Sequence, residues 1–178
     1  IRRYVSGEVV FDEGDKAAAA AAATTRQQSG DRLRVFGLSP HSVYPVSALW
    51  AAHSAEWAAH FGGQEPTVLA ATAIFITPFM RDLVLWSGAL DVGRATFDAQ
   101  LAAGTSVMVI PGGQREMEFT ESRSAALTFV RRTGFVRLAM KHGAELVPVI
   151  AFGETRVMDL ARLPKSWQEW LIKRCRIL

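Results

Sequence analysis

Short apolar runs alternate along this chain with longer segments whose apolar residues recur at helical spacing. Short runs bounded by turn residues predict buried strands, and apolar residues three or four positions apart predict one face of a helix. The runs predict strands at 33–38, 67–73, 105–110 and 146–152. The periodic segments predict helices at 45–61, 78–86, 95–103, 134–142 and 164–176. Strands that alternate with helices are typical of one α/β domain, with a mixed or mostly parallel sheet flanked by helices.

Glycine and proline residues mark several of these boundaries. Gly62 and Gly63 follow the first predicted helix, Gly104 follows the third and Gly143 the fourth, and glycine is the residue most often found just past a helix end. Pro148 falls inside the last predicted strand. Because proline has no N–H group to give to a strand ladder, we expect that strand at an edge of the sheet or at a bulge.

The composition fits one folded domain preceded by a segment of low complexity. The chain has 178 residues, of which 49% are hydrophobic, enough to bury a sizeable core. Residues 1–30 contain a run of alanines followed by polar residues, so we expect little order there and assign the domain to 31–178. The chain begins without methionine and stops within the last predicted helix, so we expect it to be truncated at both ends.

Charge and cysteine content exclude several classes of protein. The net charge of +3 suits a site for anionic groups or a membrane surface, and it is too small to indicate nucleic-acid binding. The single cysteine, Cys175, cannot form a disulfide within the chain. No apolar run is long enough to span a bilayer.

Two polar loops follow predicted strands, where α/β sheets place their ligand-binding groups. In the first loop, His41 lies between Pro40 and Pro45, which restrict the backbone around the imidazole ring. Imidazole readily exchanges a proton near neutral pH, so His41 is a candidate general base. On the local sequence alone, a histidine that caps a turn or packs within the loop is the simpler interpretation.

The second loop contains Pro111, Gly112, Gly113 and Glu116. Paired glycines let backbone N–H groups approach a ligand closely, and such groups can stabilise a developing oxyanion. Glu116 is a candidate for orienting the imidazole of His41, as a carboxylate does in a catalytic triad. A tight turn and a solvated carboxylate are the alternatives.

Basic residues are concentrated in the last third of the chain. Arg132, Arg137 and Lys141 are candidates for binding the phosphates of a nucleotide-like carrier, and a solvated charged face is the alternative. His53 and His60 fall within one predicted helix, but no nearby acidic or histidine cluster completes a metal site. We therefore predict no bound metal.

Several blocks of sequence resemble the type-2 diacylglycerol acyltransferase family. Residues 39–45 read SPHSVYP, close to the EPHSVLP of plant-type members, where other members carry His-Pro-His-Gly. The similarity continues through IFITPFMRDLVLWSGAL, VMVIPGGQREM and RRTGFVRLAMKHGAELVPVIAFGE. It covers roughly 34–156. The matching motif positions are Pro40, His41, Ser42, Pro111, Gly112, Gly113, Glu116, Arg132, Gly134 and Phe135.

This resemblance implies an enzyme of the endoplasmic reticulum membrane that faces the cytosol and supplies lipid droplets. It would acylate the free hydroxyl of diacylglycerol with a fatty acyl-CoA, giving triacylglycerol. The implied fold is that of a glycerolipid acyltransferase, and the implied co-substrate is acyl-CoA, with no prosthetic group. The domain at 31–178 would then be the catalytic domain, incomplete at its C-terminus.

The residues and the resemblance together predict a direct acyl transfer. His41 would take the hydroxyl proton, Glu116 would orient its ring, and the N–H groups of Gly112 and Gly113 would stabilise the oxyanion. Monoacylglycerol, a long-chain alcohol or a sterol would present a hydroxyl to the same base. Ser39 stands where the family has His or Glu, so a non-catalytic, lipid-binding relative is a further alternative.

Overall fold

The computed structural model describes residues 7–12, 32–41, 45–113 and 132–154. Within them, five strands form one sheet: β1 (Arg34–Ser39), β2 (Thr67–Ala70), β3 (Leu90–Asp91), β4 (Val107–Val109) and β5 (Glu145–Ile150). Their spatial order is β3-β2-β4-β1-β5, and every neighbouring pair runs parallel. The predicted α/β class is therefore confirmed.

Helices connect the strands. They are α1 (Val46–Trp50), α2 (Ala55–His60), α3 (Thr72–Ile76), α4 (Met80–Trp86), α5 (Arg94–Ala102) and α6 (Gly134–His142). The bounds of α6 are those predicted, and Gly143 ends it with a left-handed backbone at φ 64°, a conformation that costs glycine little. None of the described helices is long and apolar enough to cross a membrane. The predicted helix at 164–176 lies outside the described residues.

The single helix predicted at 45–61 is wrong, because the segment is broken into three pieces. A 3-10 helix, Ala51–His53, separates α1 from α2. At Ser54 the backbone turns to an extended conformation with ψ 152°, and the Ser54 hydroxyl accepts the N–H of Trp57 at 3.1 Å. Serine satisfies a free N–H at a helix start better than it supports a helix interior, so α2 begins anew after it.

The strand predicted at 67–73 is too long, and a short strand was missed. β2 ends at Ala70 and α3 begins at Thr72, because a short apolar run does not distinguish a buried strand from a helical turn. β3 has only two residues, paired with Leu69 and Ala70 of β2. It is too short to produce a recognisable alternation of apolar and polar positions.

The sheet has an apolar core on each face, because successive strand residues point to opposite sides. On one face, β-strand residues pack against α5 and α6, and the buried cluster is Val35, Leu69, Phe97, Leu101, Val107, Val109, Leu138 and Ala139. On the other face they pack against α1, the 3-10 helix and α2, and the cluster is Phe36, Leu38, Ala48, Ala52, Trp57, Phe61 and Met108. Two packed layers on a parallel sheet are the arrangement expected for this class.

The edge position predicted for the last strand is confirmed. Among the described strands, β5 pairs with β1 alone, and Pro148 stands opposite Gly37 in their register. A strand with only one neighbour can leave one side of its backbone unpaired, so proline is tolerated there. At the amino end of β1, Arg34 is buried, and its guanidinium contacts Gln64 at 2.9 Å and Glu145 at 3.3 Å.

Candidate active site

The two loops predicted to carry chemistry lie next to each other. β1 leads directly to Pro40 and His41, and β4 leads to Pro111, Gly112 and Gly113. β1 and β4 are neighbours and run parallel. Their carboxyl ends therefore share one edge of the sheet, called here the carboxyl edge, where open α/β sheets bind their ligands.

His41 is buried at this edge and contacts the second loop. Its side chain is only 6% exposed, and its Nε2 lies 3.0 Å from the carbonyl oxygen of Gly113. A carbonyl oxygen only accepts hydrogen bonds, so we assign the ring proton to Nε2, which donates it. In the neutral ring the lone pair is then on Nδ1. A base at this position would act through Nδ1.

Both the backbone conformation of Gly113 and the closeness of a neighbouring side chain favour glycine at this position. Its φ is 54°, in the left-handed region, and a Cβ at this position would lie 3.2 Å from Nη1 of Arg132. The guanidinium of Arg132 therefore lies beside the residue that contacts His41. His41, Gly113 and Arg132 come from three separate blocks of sequence, and the fold brings them together.

The remaining predicted site residues are only partly described. Pro40 and Pro111 are half-buried, and Gly112 is buried. Ser42 and Glu116 lie outside the described residues, so the orienting role of Glu116 stays a prediction. The group of Gly113 that faces His41 is its carbonyl, and the oxyanion role of the Gly112 and Gly113 N–H groups stays a prediction as well.

Two of the predicted phosphate-binding cations lie farther along α6. Arg137 is exposed in the middle of the helix. Lys141 is in its last turn, where Nζ lies 2.7 Å from both carboxylate oxygens of Asp98 on α5. At about 1.5 Å per residue, Lys141 lies roughly 10 Å along the helix axis from Gly134, the first residue of α6, and Arg132 precedes that helix. The structure therefore does not bring Lys141 to His41, and its binding of acyl-CoA stays a prediction.

The Asp98 contacts join α6 to α5. His142 Nε2 lies 2.7 Å from Oδ1 of Asp98, and Lys141 adds its two bonds to the same carboxylate. Hydrogen bonds, from His142 first and Lys141 second, hold the pKa of the Asp98 carboxyl below its ordinary value. This cluster fastens two helices at the end of α6 remote from Arg132.

Sequence reasoning missed Glu154, which follows β5. Its side chain is only 4% exposed. Oε1 accepts the backbone N–H of Val46 at 2.7 Å, and Oε2 accepts that of Ser47 at 3.1 Å. The only sequence signal is that Glu154 closes the last of the similar blocks, in FGE. Nothing in its local pattern predicts that an acid will be buried.

The two histidines of the segment 45–61 have separate surroundings. His53 Nδ1 lies 3.5 Å from Oε2 of Glu65 in an exposed pair. His60 stacks on Phe11, with ring centroids 3.8 Å apart. In the part of the chain that the structure describes, no three histidine, cysteine or acidic side chains are grouped as they would be around a metal ion.

The fold and this edge define the class of protein: an α/β domain with a histidine buried at the carboxyl edge of its parallel sheet. A family model described as "Diacylglycerol acyltransferase" matches residues 21–177. Because this match covers most of the 178 residues, the chain belongs to the diacylglycerol acyltransferase family. The resemblance inferred from the motifs is therefore confirmed.

Relatives that are named for different acyl acceptors match the chain. "2-acylglycerol O-acyltransferase 3" of Homo sapiens is 34% identical over 146 residues, 79% of this chain and 43% of that protein. "Acyl-CoA wax alcohol acyltransferase 2" of Mus musculus is 35% identical over 136 residues, 74% of this chain and 41% of that protein. "Diacylglycerol O-acyltransferase 2" of Homo sapiens is 30% identical over 149 residues, 80% of this chain and 38% of that protein.

The chain spans about two fifths of the length of these relatives. No solved structure matches it significantly. These matches therefore establish the family, and the relatives themselves are named for different acceptors, acylglycerols and wax alcohols.

Proposed function

We propose that this protein transfers a fatty acyl group from acyl-CoA to the free hydroxyl of diacylglycerol, forming triacylglycerol, with His41 as the general base. The observation that carries the proposal is the hydrogen bond between Nε2 of His41 and the carbonyl of Gly113 at the carboxyl edge. It holds an imidazole in one tautomer, at the edge where this class of fold binds ligands. Membership of the diacylglycerol acyltransferase family supports the reaction type.

The reaction needs one base and no covalent enzyme intermediate. Nδ1 of His41 accepts the proton of the glycerol hydroxyl as that oxygen attacks the thioester carbonyl carbon. The tetrahedral intermediate then expels the thiolate of coenzyme A, which takes the proton from the imidazolium. The products are triacylglycerol and the free thiol. The carbonyl of Gly113 accepts from Nε2 throughout, so it keeps the ring oriented and stabilises its charged form.

Neighbouring residues supply electrostatic support in this proposal. Arg132 lies beside Gly113, where a guanidinium suits a phosphate of coenzyme A, and Arg137 lies farther along the exposed side of α6. The N–H groups of Gly112 and Gly113 are candidate oxyanion donors, and Glu116 is the candidate for further orientation of His41. No metal or prosthetic group takes part in the proposed step.

A monoacylglycerol or a long-chain alcohol is the second candidate for the acceptor. Two relatives, named as a 2-acylglycerol and a wax alcohol acyltransferase, support it. The same base would serve each of these hydroxyl groups, so the choice of acceptor would depend on the residues that contact the rest of the acceptor molecule. We favour diacylglycerol because the plant-type SPHS loop resembles that branch of the family. Competition among the three acceptors in one assay would decide between them by their relative kcat/KM.

Because every candidate acceptor is a lipid, we propose that the protein works at a membrane surface. The endoplasmic reticulum, facing the cytosol and supplying lipid droplets, is the location that the resemblance implies. Fractionation of cells that express the protein, with triacylglycerol synthesis measured in each fraction, tests this location.

The base assignment is tested by His41→Ala in the full-length protein, assayed in microsomes with labelled acyl-CoA. Loss of a general base typically costs about 10²–10⁴-fold in rate, and we expect a loss of kcat in that range. His53→Ala, at an exposed histidine that pairs with Glu65, is the matched control and should retain activity. Near-normal activity of His41→Ala at equal protein level would refute the base role. Acyl-CoA binding without turnover in the unaltered protein would favour a lipid-binding relative instead.

A further inference from the structure

The two helices α3 and α4, called here the helix pair, expose an apolar surface. Phe79 between them is 84% exposed, and Trp86 at the end of α4 is 85% exposed. Other large apolar side chains exposed in the helix pair are Ile76, Met80, Leu83 and Leu85. Val84 is the one buried residue of α4, and α3 has none. Exposed apolar patches of this kind usually mark a surface that contacts another phase or molecule.

The helix pair projects from the carboxyl edge. The chain leaves the sheet at Ala70, the last residue of β2, and re-enters it at Leu90, which stands opposite Leu69. β2 is the neighbour of β4, whose carboxyl end carries Gly113. The apolar surface and the proposed active site therefore belong to the same edge of the sheet, one strand apart.

Phe79, whose ring is exposed, has an unusual backbone conformation. Phe79 has φ 66° and ψ −44°, a conformation that residues with a Cβ rarely adopt. Backbone conformations of this kind are found mainly at functional sites, where the surrounding structure maintains them. Here the result is an aromatic ring held almost fully outside the fold. An exposed tryptophan, which favours the boundary between lipid and water, lies at the other end of the same helix.

We propose that the helix pair docks onto the lipid surface that holds the acyl acceptor, an inference that rests on the proposed function. A water-insoluble acceptor has to pass from that surface to His41, and docking at the carboxyl edge shortens the path. The charged residues of the helix pair are Arg81 and Asp82, adjacent and of opposite sign. Docking therefore depends on apolar insertion, so neutral phosphatidylcholine suffices and salt has little effect.

Environment-sensitive labels test this surface in the full-length protein reconstituted in phosphatidylcholine vesicles. Single cysteines replace Phe79 or Trp86, in a background with Cys175→Ser and no other cysteine, and carry a nitrobenzoxadiazole label. The matched control is Met140→Cys on α6, whose side chain is 75% exposed. We expect a blue shift at both positions of the helix pair, with quenching by doxyl-labelled phosphatidylcholine several-fold greater than at position 140.

Two results would overturn the docking inference. Labels that stay water-like at both positions would show that the helix pair does not meet lipid. A blue shift without doxyl quenching would show that protein covers the surface instead. The readout is independent of turnover, so a protein that inserts the helix pair but acylates nothing would leave docking intact and contradict only the proposed function.

A different observation concerns the loop that carries His41, whose two ends are held by the segment 150–154. Before the loop, Ser39 stands opposite Ile150 in the β1–β5 register, and its carbonyl accepts the N–H of Ala151 at 3.1 Å. After the loop, the carboxylate of Glu154 accepts two successive backbone N–H groups, at 2.7 Å and 3.1 Å. One short segment thus fixes both ends of the loop.

The second of these attachments is made by a buried carboxylate. Burying a carboxylate is costly unless hydrogen bonds replace its lost water, and Glu154 receives one N–H bond on each oxygen. Bonds to a charged acceptor are stronger than bonds between neutral groups. We infer that Glu154 is a positioning residue that keeps His41 in register with Gly113, an inference that also rests on the proposed function.

The test compares Glu154→Gln with the unaltered protein. The amide keeps the size of the side chain but has one acceptor oxygen, so one backbone N–H faces an NH₂ group. We expect kcat to fall about tenfold, the loss of roughly one charged hydrogen bond, with the KM for acyl-CoA nearly unchanged. In a His41→Ala background the same substitution should change the residual activity little, because the two residues act as one unit.

A second measurement, the rate of chemical modification of His41, tests the positioning role without relying on catalytic activity. Diethyl pyrocarbonate modifies accessible histidines, and the exposed His53 serves as the internal reference. In the unaltered protein His41 should react more slowly than His53, and Glu154→Gln should raise the rate at His41 alone. An unchanged rate at His41, or an equal loss of activity in the His41→Ala background, would contradict the positioning role. Both outcomes can be read even if the acceptor differs from the one proposed.

Discussion

Of two helical connections in this domain, one buries its large apolar residues and the other exposes them. The connection from β3 to β4 is α5, which buries Phe97 to 3% exposure and also buries Leu101. The connection from β2 to β3 is the helix pair, which exposes Phe79 and Trp86. Yet α4, with the sequence MRDLVLW, is more apolar than α5, with RATFDAQLA. Apolar content alone therefore does not decide which helix is buried.

The difference follows from where each connection rejoins the sheet. β4 is paired along its whole length with β2, so α5 runs back across the sheet face before β4 begins. The helix pair rejoins the sheet opposite Leu69, close to where it left. It therefore has little strand surface to cover, and its apolar side chains remain outside. This geometry is what makes the helix pair a candidate for contact with lipid.

The largest effect expected from this comparison is on stability. Phe97→Ala removes a buried aromatic ring from the core between α5 and the sheet, and such substitutions cost about 3–5 kcal/mol in the free energy of unfolding. Trp86→Ala is the matched control on the helix pair, where an exposed position should change the free energy by less than about 0.5 kcal/mol. Denaturant unfolding of both variants measures the contrast. Similar losses would mean that the helix pair is packed as firmly as α5.

The smallest effect concerns the link between α5 and α6. Asp98→Asn removes the charge that accepts from Lys141 and His142, and we expect a small fall in Tm at neutral pH. The pKa of Asp98 is lowered in the folded state, so its contribution is present above the ordinary carboxyl pKa and is lost as the pH falls through the lowered value. The two Tm values should therefore converge in strong acid.

Asp82→Asn provides the matched control for that experiment. Asp82 is exposed on α4 of the helix pair, and its replacement should leave Tm unchanged at every pH. A difference between Asp98→Asn and the unaltered protein that persisted at low pH would contradict the electrostatic explanation. It would point instead to a change in how α5 and α6 pack.

Local signals predicted some elements closely because the physics behind them is local. Gly143 ends α6 through its own backbone freedom, and Pro148 marks an edge strand through its missing N–H group. Other elements depended on side-chain hydrogen bonds to the backbone, which the pattern of apolar positions does not reveal. Ser54 interrupts the helix predicted at 45–61 because its hydroxyl satisfies an N–H of the next turn.

The candidate site was only partly predictable, because residue types are local information and the contacts between distant residues are not. The residue types at His41 and Gly113 made proton transfer and close backbone approach candidate roles, although the local sequence alone favoured a structural histidine and a tight turn. Lys141 was predicted to bind phosphate, but its partner Asp98 lies 43 positions away in the sequence. Glu154 gave no local signal of its burial, because its two partners lie more than a hundred positions earlier.

The amino-acid sequence by itself determined that strands and helices alternate and that His41 and Gly113 each follow a strand. Only the tertiary structure decided that β4 lies beside β1, which brings Nε2 of His41 within 3.0 Å of a carbonyl 72 positions away. Helix and strand patterns depend on neighbouring residues, whereas the order of strands in a parallel sheet depends on contacts between distant segments. The exposure of the helix pair was likewise decided by where β3 joins β2.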